Sequence, residues 1–256
     1  MSTPEFPPGS PCWIDLLTKD IEAAKTFYSQ LFGWSYVVGD EETYGGYTTA
    51  AIDGLPVAGL MKNDPDNGFP DVWSTYLRVA DIDAAVDQVQ AHQGHVYMPP
   101  MEVPEQGKMA MIGDPSGLGV GLWQAGGHPG YQKMGEQGTP VWHELHTTKF
   151  ETSTKFYREA LDWDLEVMSD SDEFRYQTLG AGRDAKAGVM DIAHFEDPKL
   201  AGWKVYFAVE DTDQTVAEAI AAGGAEVSPA MDSDFGRLAV IADPTGAEFY
   251  VIQANG

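Results

Sequence analysis

The 256-residue sequence has a single cysteine, Cys12, and only 15 lysines and arginines against 40 aspartates and glutamates. One cysteine excludes an internal disulfide framework and a zinc site built on clustered thiolates. The shortage of basic residues excludes a nucleic-acid partner: a formal charge of −25 repels a phosphate backbone, and no Lys/Arg cluster offsets it. The same charge argues against an anionic membrane surface. No apolar run approaches the roughly 18–20 residues of a bilayer span. Residues 1–11 lack the basic and apolar regions of a secretory signal, so the expected location is cytoplasmic. What is present is 43% hydrophobic, enough to build cores and to exclude wholesale disorder. The acid is spread evenly, with 17 acids and 5 bases in residues 1–128 and 23 and 10 in residues 129–256, which marks a solvated surface and not an acidic tail.

An internal repeat organises the chain. Trp13-Ile14-Asp15-Leu16-Leu17-Thr18 returns 129 residues later as Trp142-His143-Glu144-Leu145-His146-Thr147. The same shift carries Phe27-Tyr28 to Phe156-Tyr157, Trp34 to Trp163, Ala58-Gly59-Leu60-Met61 to Ala187-Gly188-Val189-Met190, and Asp114-Pro115-Ser116-Gly117 to Asp243-Pro244-Thr245-Gly246. Tyr76 and Tyr206, and Asp81 and Asp211, pair at a shift of 130. Two homologous domains follow: residues 12–125 and 141–254, after a flexible N-terminus at 1–11 and joined by a Gly/Pro-rich linker at 126–140.

Each domain carries a smaller echo. A strand at residues 12–17 precedes an Asp20-capped helix with Ile21, Ala24, Phe27, Tyr28 and Leu31 at helical spacing, ended by Gly33. Three strand-like runs follow, and Tyr44-Gly45-Gly46-Tyr47 reads as a hairpin turn between two of them. The pattern restarts at Ser74 with Asp81 capping a second helix. The unit is βαβββ, twice per domain and four times in the chain.

Four such modules, an Asp-capped helix running Ala-Ala-x-x-Phe-Tyr-x-x-Leu-Phe-Gly-Trp and a closing Asp-Pro-x-Gly turn resemble the vicinal oxygen chelate superfamily, over residues 12–254. That superfamily includes glyoxalase I, bleomycin- and fosfomycin-resistance proteins and extradiol dioxygenases. Within it the chain is similar to actinobacterial two-domain glyoxalase-like proteins, often labelled "hydroxylase". The resemblance implies an α+β fold in which two βαβββ modules make a U-shaped mixed sheet, helices on its convex face and a ligand in its cup. It also implies a small-molecule ligand, and a monomer or weak homodimer, since tandem fusion can satisfy module pairing within one chain.

The resemblance implies metal-ligand positions too. They fall at Trp13, Ser74, Gly121 and the strand of Gly59 in domain one, and at Trp142, Lys204, Tyr250 and the strand of Gly188 in domain two. Indole, glycine and ammonium do not replace imidazole and carboxylate on a divalent cation. The expectation is therefore no cofactor, with a divalent metal left only to a relocated site.

Strand alternation puts Trp142, Glu144 and His146 on one face, and Trp13, Asp15 and Leu17 on the matching face. Glu144 with His146 reads as an acid/base pair, as two relocated metal ligands, or as a structural pair at the domain interface. Asp15 and Glu144 are mid-strand carboxylates that need partners. Tyr76 and Arg78 can meet Asp15, and Tyr206 and Lys204 can meet Glu144, as salt-bridge networks or as polar spots that orient a ligand. Trp13, Tyr76 and Trp123 should line the first cup; Trp142, Tyr206 and Tyr250 the second, as a pocket or as a filled core. The catalytic candidates are Glu144, His146 and Asp15, with domain two the expected seat of chemistry. The function expected is binding, with or without transformation, of a small carbonyl-containing or aromatic metabolite. A sequestering binding protein and a structural protein with filled cups are the alternatives. His128 reads as a surface residue.

Overall fold

The computed structural model describes residues 4–64, 66, 68–195 and 200–255. Domain one runs β1 (Pro11–Thr18), α1 (Ile21–Phe32), β2 (Ser35–Val38), α2 (Glu41–Tyr44), β3 (Thr48–Ile52), β4 (Leu55–Lys62), β5 (Val72–Arg78), α3 (Ile82–Ala91), β6 (His95–Val103), β7 (Gly107–Gly113) and β8 (Gly119–Ala125). Domain two runs β9 (Pro140–Thr147), α4 (Phe150–Leu161), β10 (Leu165–Asp170), β11 (Arg175–Leu179), β12 (Gly188–Asp191), β13 (Gly202–Ala208), α5 (Thr212–Ala221), β14 (Ala225–Ser233), β15 (Gly236–Ala242) and β16 (Glu248–Ala254). The fold is α+β, two tandem domains of paired βαβββ modules. Among the described residues no helix is long and apolar enough to cross a membrane.

Local chemistry starts and stops the helices. The Asp20 carboxylate accepts from the Ala23 amide at the start of α1, and left-handed Gly33 closes it. Asp81 and Asp211 cap α3 and α5 in the same way. The turn expected at Tyr44-Gly45 is instead the end of one-turn helix α2. Asp40 caps it through the Thr43 amide, and Gly45 at φ +59° ends it.

Each domain is one eight-stranded mixed sheet, ordered β2-β3-β4-β1-β5-β8-β7-β6 and β10-β11-β12-β9-β13-β16-β15-β14. Val37 of β2 and Met101 of β6, on opposite edge strands of the first sheet, line one cavity, so that sheet curls into a cup.

The helices lie on the convex faces, where the two domains meet: α1 packs on α5, and α3 on α4. Both large cores mix residues of the two domains. Phe27 packs against Phe249, and Trp73 against Phe207. The Asp-Pro-x-Gly turns serve this interface: Asp243 accepts from the Tyr28 hydroxyl (3.1 Å) and Asp114 from Ser153 (2.5 Å). His143, fully enclosed, joins Thr75 to Tyr131. Burial holds its imidazole down at about 3, hence neutral.

The connecting segment is more tightly built than a loose linker. The Tyr131 amide donates to Cys12, the Gln132 amide to Pro56 and the Gly138 amide to Ala208, and the Tyr131 ring is fully buried. Before β1, the Gly9 amide donates to Arg78 and Ser10 is buried, so the chain is already packed there; residues 1–3 of the expected flexible N-terminus lie outside the described residues.

Candidate functional site

The centre of each cup is a carboxylate on the first strand. In domain one, Asp15 Oδ1 accepts from the Tyr47 hydroxyl at 2.6 Å and from Trp13 Nε1 at 2.9 Å; Trp13 Nε1 also lies 2.8 Å from the Tyr47 hydroxyl. The Tyr76 phenol, also on the cup face, lowers the Asp15 carboxyl as a further donor. Burial pushes the Asp15 carboxyl above its ordinary range, more than the bonds from Tyr47, Tyr76 and Trp13 pull it down. Burial and the Asp15 charge keep the Tyr47 and Tyr76 phenols protonated.

Domain two repeats the arrangement. The Tyr206 hydroxyl donates to Glu144 Oε2 at 2.5 Å, and Trp142 Nε1 donates to the Tyr176 hydroxyl at 3.1 Å. Here an imidazole partner is present: His146 Nε2 lies 3.2 Å from Glu144 Oε2, both residues being buried. Burial works against the Glu144 charge. The hydrogen bond and charge of His146, with bonds from Tyr206 and Tyr176, outweigh it, so the carboxyl sits below its ordinary range.

The repeated Ala-Gly pair explains how the tyrosines arrive. Gly59 is in register with Asp15, and Gly188 with Glu144. A methyl group at Gly59 would collide with the Tyr47 hydroxyl and the Asp15 carboxylate, and one at Gly188 with the Tyr176 hydroxyl. Each glycine is the gap through which a phenol reaches the carboxylate.

A cavity of about 410 Å³ occupies the domain-one cup. Trp13, Tyr47, Tyr76 and Trp123 contribute rings, and Met61 and Met109 contribute thioethers, with Asp15 among the lining residues. The far rims approach where the Tyr44 hydroxyl donates to Pro104 at 3.3 Å. In domain two, Tyr250 stands where domain one has Gly121. Its ring packs 4.5 Å from Tyr206 and 5.9 Å from His146, and with Tyr206 and Val240 it forms a small apolar cluster inside the cup. The second cup, where chemistry was expected, thus carries one ring more than the first at this position.

Two expected meetings do not form. Asp15 is in register with Ser74, so Arg78 is four residues further along β5, about 13 Å at ~3.3 Å per residue. The Arg78 backbone pairs with Ser10 and Gly9, and Nη1 is buried without a hydrogen-bond partner. Lys204 faces Glu144 in register, but the bonds to Glu144 come from His146, Tyr206 and Tyr176. Burial lowers the Lys204 ammonium, and the carboxylate that acts on it is Glu248.

Three residues were missed. Tyr47 and Tyr176 are related by the same 129-residue shift as the strands, a signal present in the sequence. His128 is no surface residue. It lines the cavity edge-on to Trp13, with ring centroids 4.3 Å apart, and burial lowers its imidazole to about 4.

Comparison with known proteins agrees with this architecture. The model of the "Glyoxalase/Bleomycin resistance protein/Dioxygenase superfamily" matches residues 12–122, and that of a "Glyoxalase-like domain" matches residues 142–252. The chain is 40% identical over 259 residues to the "Putative glyoxylase CFP32" of Mycobacterium tuberculosis, spanning 97% of this chain and 96% of that one. The chain belongs to the glyoxalase/bleomycin resistance protein/dioxygenase superfamily. It is also 33% identical to the "Anthracycline biosynthesis protein DauV" of a Streptomyces species, over 97% of this chain and 94% of that one. The solved Mn(II)-bound glyoxalase from Novosphingobium aromaticivorans shares the fold, with a TM-score of 0.65 at 16% identity over 95% of this chain and 82% of that one.

The metal that such glyoxalase-superfamily relatives hold is tested by the donors in these cups. The strand positions described above present Trp13, Gly59, Ser74 and Gly121, and Trp142, Gly188, Lys204 and Tyr250. Asp15 is already engaged by indole and phenol donors, and Glu144 by imidazole and phenol. These residues do not fit a divalent cation, which needs several converging carboxylate, imidazole or thiolate donors.

Proposed function

We propose that the chain binds a small planar molecule, aromatic or carbonyl-bearing, in the domain-one cup, through ring contacts and hydrogen bonds and without a chelated metal. The carrying observation is the cavity of about 410 Å³ with a polar centre at Asp15 and walls of indole, phenol and thioether. Its volume falls in the range of small-molecule sites, and its few polar groups converge as such sites require. Methionines let the wall adapt to a flat ring system. The relative named for anthracycline biosynthesis supports this class, since anthracyclines are flat polycyclic ketones.

Asp15 favours one extension of this reading. A carboxyl whose pKa burial raises keeps its proton to higher pH than an ordinary carboxyl and can pass it to a carbonyl oxygen set against it, and the Tyr47 and Tyr76 phenols can stabilise the charge left behind. Domain two, where Tyr250 packs on Tyr206, is the structural half on this proposal.

The test is calorimetric titration of the metal-analysed protein with 2-acetonaphthone, a flat aryl ketone. Binding is expected to survive a chelator, to weaken at least about tenfold in Trp123→Ala, and to be unchanged in Tyr206→Phe. Stoichiometric Ni, Zn, Fe or Mn in the purified protein, or binding that follows Tyr206 and ignores Trp123, would overturn the proposal.

A further inference from the structure

The two cups use the same four parts. Trp13, Asp15, Tyr47 and Tyr76 correspond to Trp142, Glu144, Tyr176 and Tyr206. They part at the residue two places beyond the carboxylate. Domain two has His146 there, 3.2 Å from Glu144; domain one has Leu17, which can neither ionise nor donate. Glu144 therefore carries its nitrogen partner within the chain. Asp15 is bonded by Trp13, Tyr47 and Tyr76, and among the described residues no lysine, arginine or histidine pairs with it.

The rest of the cavity points the same way. Asp15 and Glu102 line it, and no lysine or arginine does. Indole and phenol rings of Trp13, Tyr47, Tyr76 and Trp123 line the cavity with Asp15, and ring faces attract a cation most strongly when it is desolvated. The surrounding charge of −25 raises the local concentration of cations and lowers that of anions. Domain two shows what a nitrogen partner does to this carboxylate: the Glu144 carboxyl, beside His146, lies below its ordinary range, whereas burial raises that of Asp15, which has no such partner.

We infer that the domain-one cup takes a ligand bearing a protonated nitrogen on or beside a flat aromatic frame, and that this nitrogen pairs with Asp15 in the place His146 fills in domain two. The inference rests on the cup being the binding site and adds the charge of what enters it. The ammonium favours the ionised Asp15 carboxylate against the burial that disfavours it.

Three probes of one shape test it by calorimetry at neutral pH: 2-(aminomethyl)naphthalene, 2-naphthalenemethanol and 2-naphthoate. The ammonium is expected to bind at least about tenfold tighter than the alcohol, and the naphthoate most weakly. Asp15→Asn is expected to bring the ammonium to within about threefold of the alcohol. Leu17→His, which installs domain two's imidazole, is expected to remove the preference as well, with circular dichroism verifying the fold of both variants. Equal binding of alcohol and ammonium, or a preference intact in Asp15→Asn, overturns the assignment of charge while leaving the cup as the site. Failure of all three probes to bind overturns the cup reading, and this inference with it.

Discussion

Domain one and domain two place a tryptophan, a carboxylate and two tyrosines at matching points of matching sheets, yet they furnish those points differently. Two substitutions make the difference. Gly121 leaves room for the Tyr76 ring to lean across β8, whereas Tyr250 at that position packs its own ring on Tyr206. Leu17 offers Asp15 no polar atom, whereas His146 places a ring nitrogen against Glu144. The lesson is that a buried carboxylate has two solutions in one fold. It can be paired with a nitrogen from inside the chain, or it can rest on indole and phenol donors beside a cavity, its carboxyl raised by burial.

The largest expected effect removes the difference from the domain-two side. His146→Leu copies domain one's residue and strips a buried carboxylate of its imidazole partner, which is expected to cost about 3 kcal/mol of stability in urea denaturation. Glu144 should then take up a proton, visible as a protonated-carboxyl band in infrared difference spectra, while domain-one binding is unchanged. Next come the glycines. Gly59→Ala and Gly188→Ala each force a methyl into a phenol and are expected to lose about 2–3 kcal/mol, but only Gly59→Ala should also abolish ligand binding in calorimetry. Tyr47→Phe and Tyr176→Phe remove one hydrogen bond to a buried carboxyl, about 1–2 kcal/mol each in thermal or urea unfolding, and only the former should weaken binding.

The smallest effect is a pair of slopes with opposite sign. Asp15 is raised in the native state from an ordinary value of 3.8, so its contribution is fullest below that value and is lost as pH rises through the native one. Glu144 is lowered from 4.5, so its contribution is present above that value and is lost as pH falls through the native one. Relative to Asp15→Asn, the wild type should lose stability as pH climbs from about 4. Relative to Glu144→Gln, it should lose stability as pH drops below about 4.5. Urea midpoints across acid pH measure both slopes, at about 1 kcal/mol per pH unit or less. Slopes of the same sign would break the comparison.

Much of this was legible before any coordinates. The 129-residue shift exposed the doubled domain, and strand parity set Asp15 with Trp13 and Glu144 with His146 on the inner faces. Parity says nothing about distance along a strand, which is why Arg78 was matched to Asp15 from four residues beyond its register partner. Tyr47 was hidden by its neighbours: two glycines drew attention to the turn, while the side chain's destination depends on a gap at Gly59, one strand away. His128 was hidden by composition. Its Gly/Pro-rich surroundings resemble a free linker, but its amide donates to Gln106, Trp123 Nε1 donates to its carbonyl, and the Tyr131 and Gln132 amides tie the following residues to two separate strands. That Tyr250 packs on Tyr206 is a matter of side-chain packing that no periodicity reports.

The paired helices and the turns at Asp114 and Asp243 bear on how the molecule comes apart. Each turn is completed by a side chain from the opposite half, Ser153 in one case and Tyr28 in the other, and both large cores draw on the two halves. Neither half closes its own interior. A protease nick within residues 126–138 would therefore release no free domain; the fragments would stay joined and melt together in one cooperative step. The duplication has bound its two copies into a single folding unit, within which one cup was left free to diverge from the other.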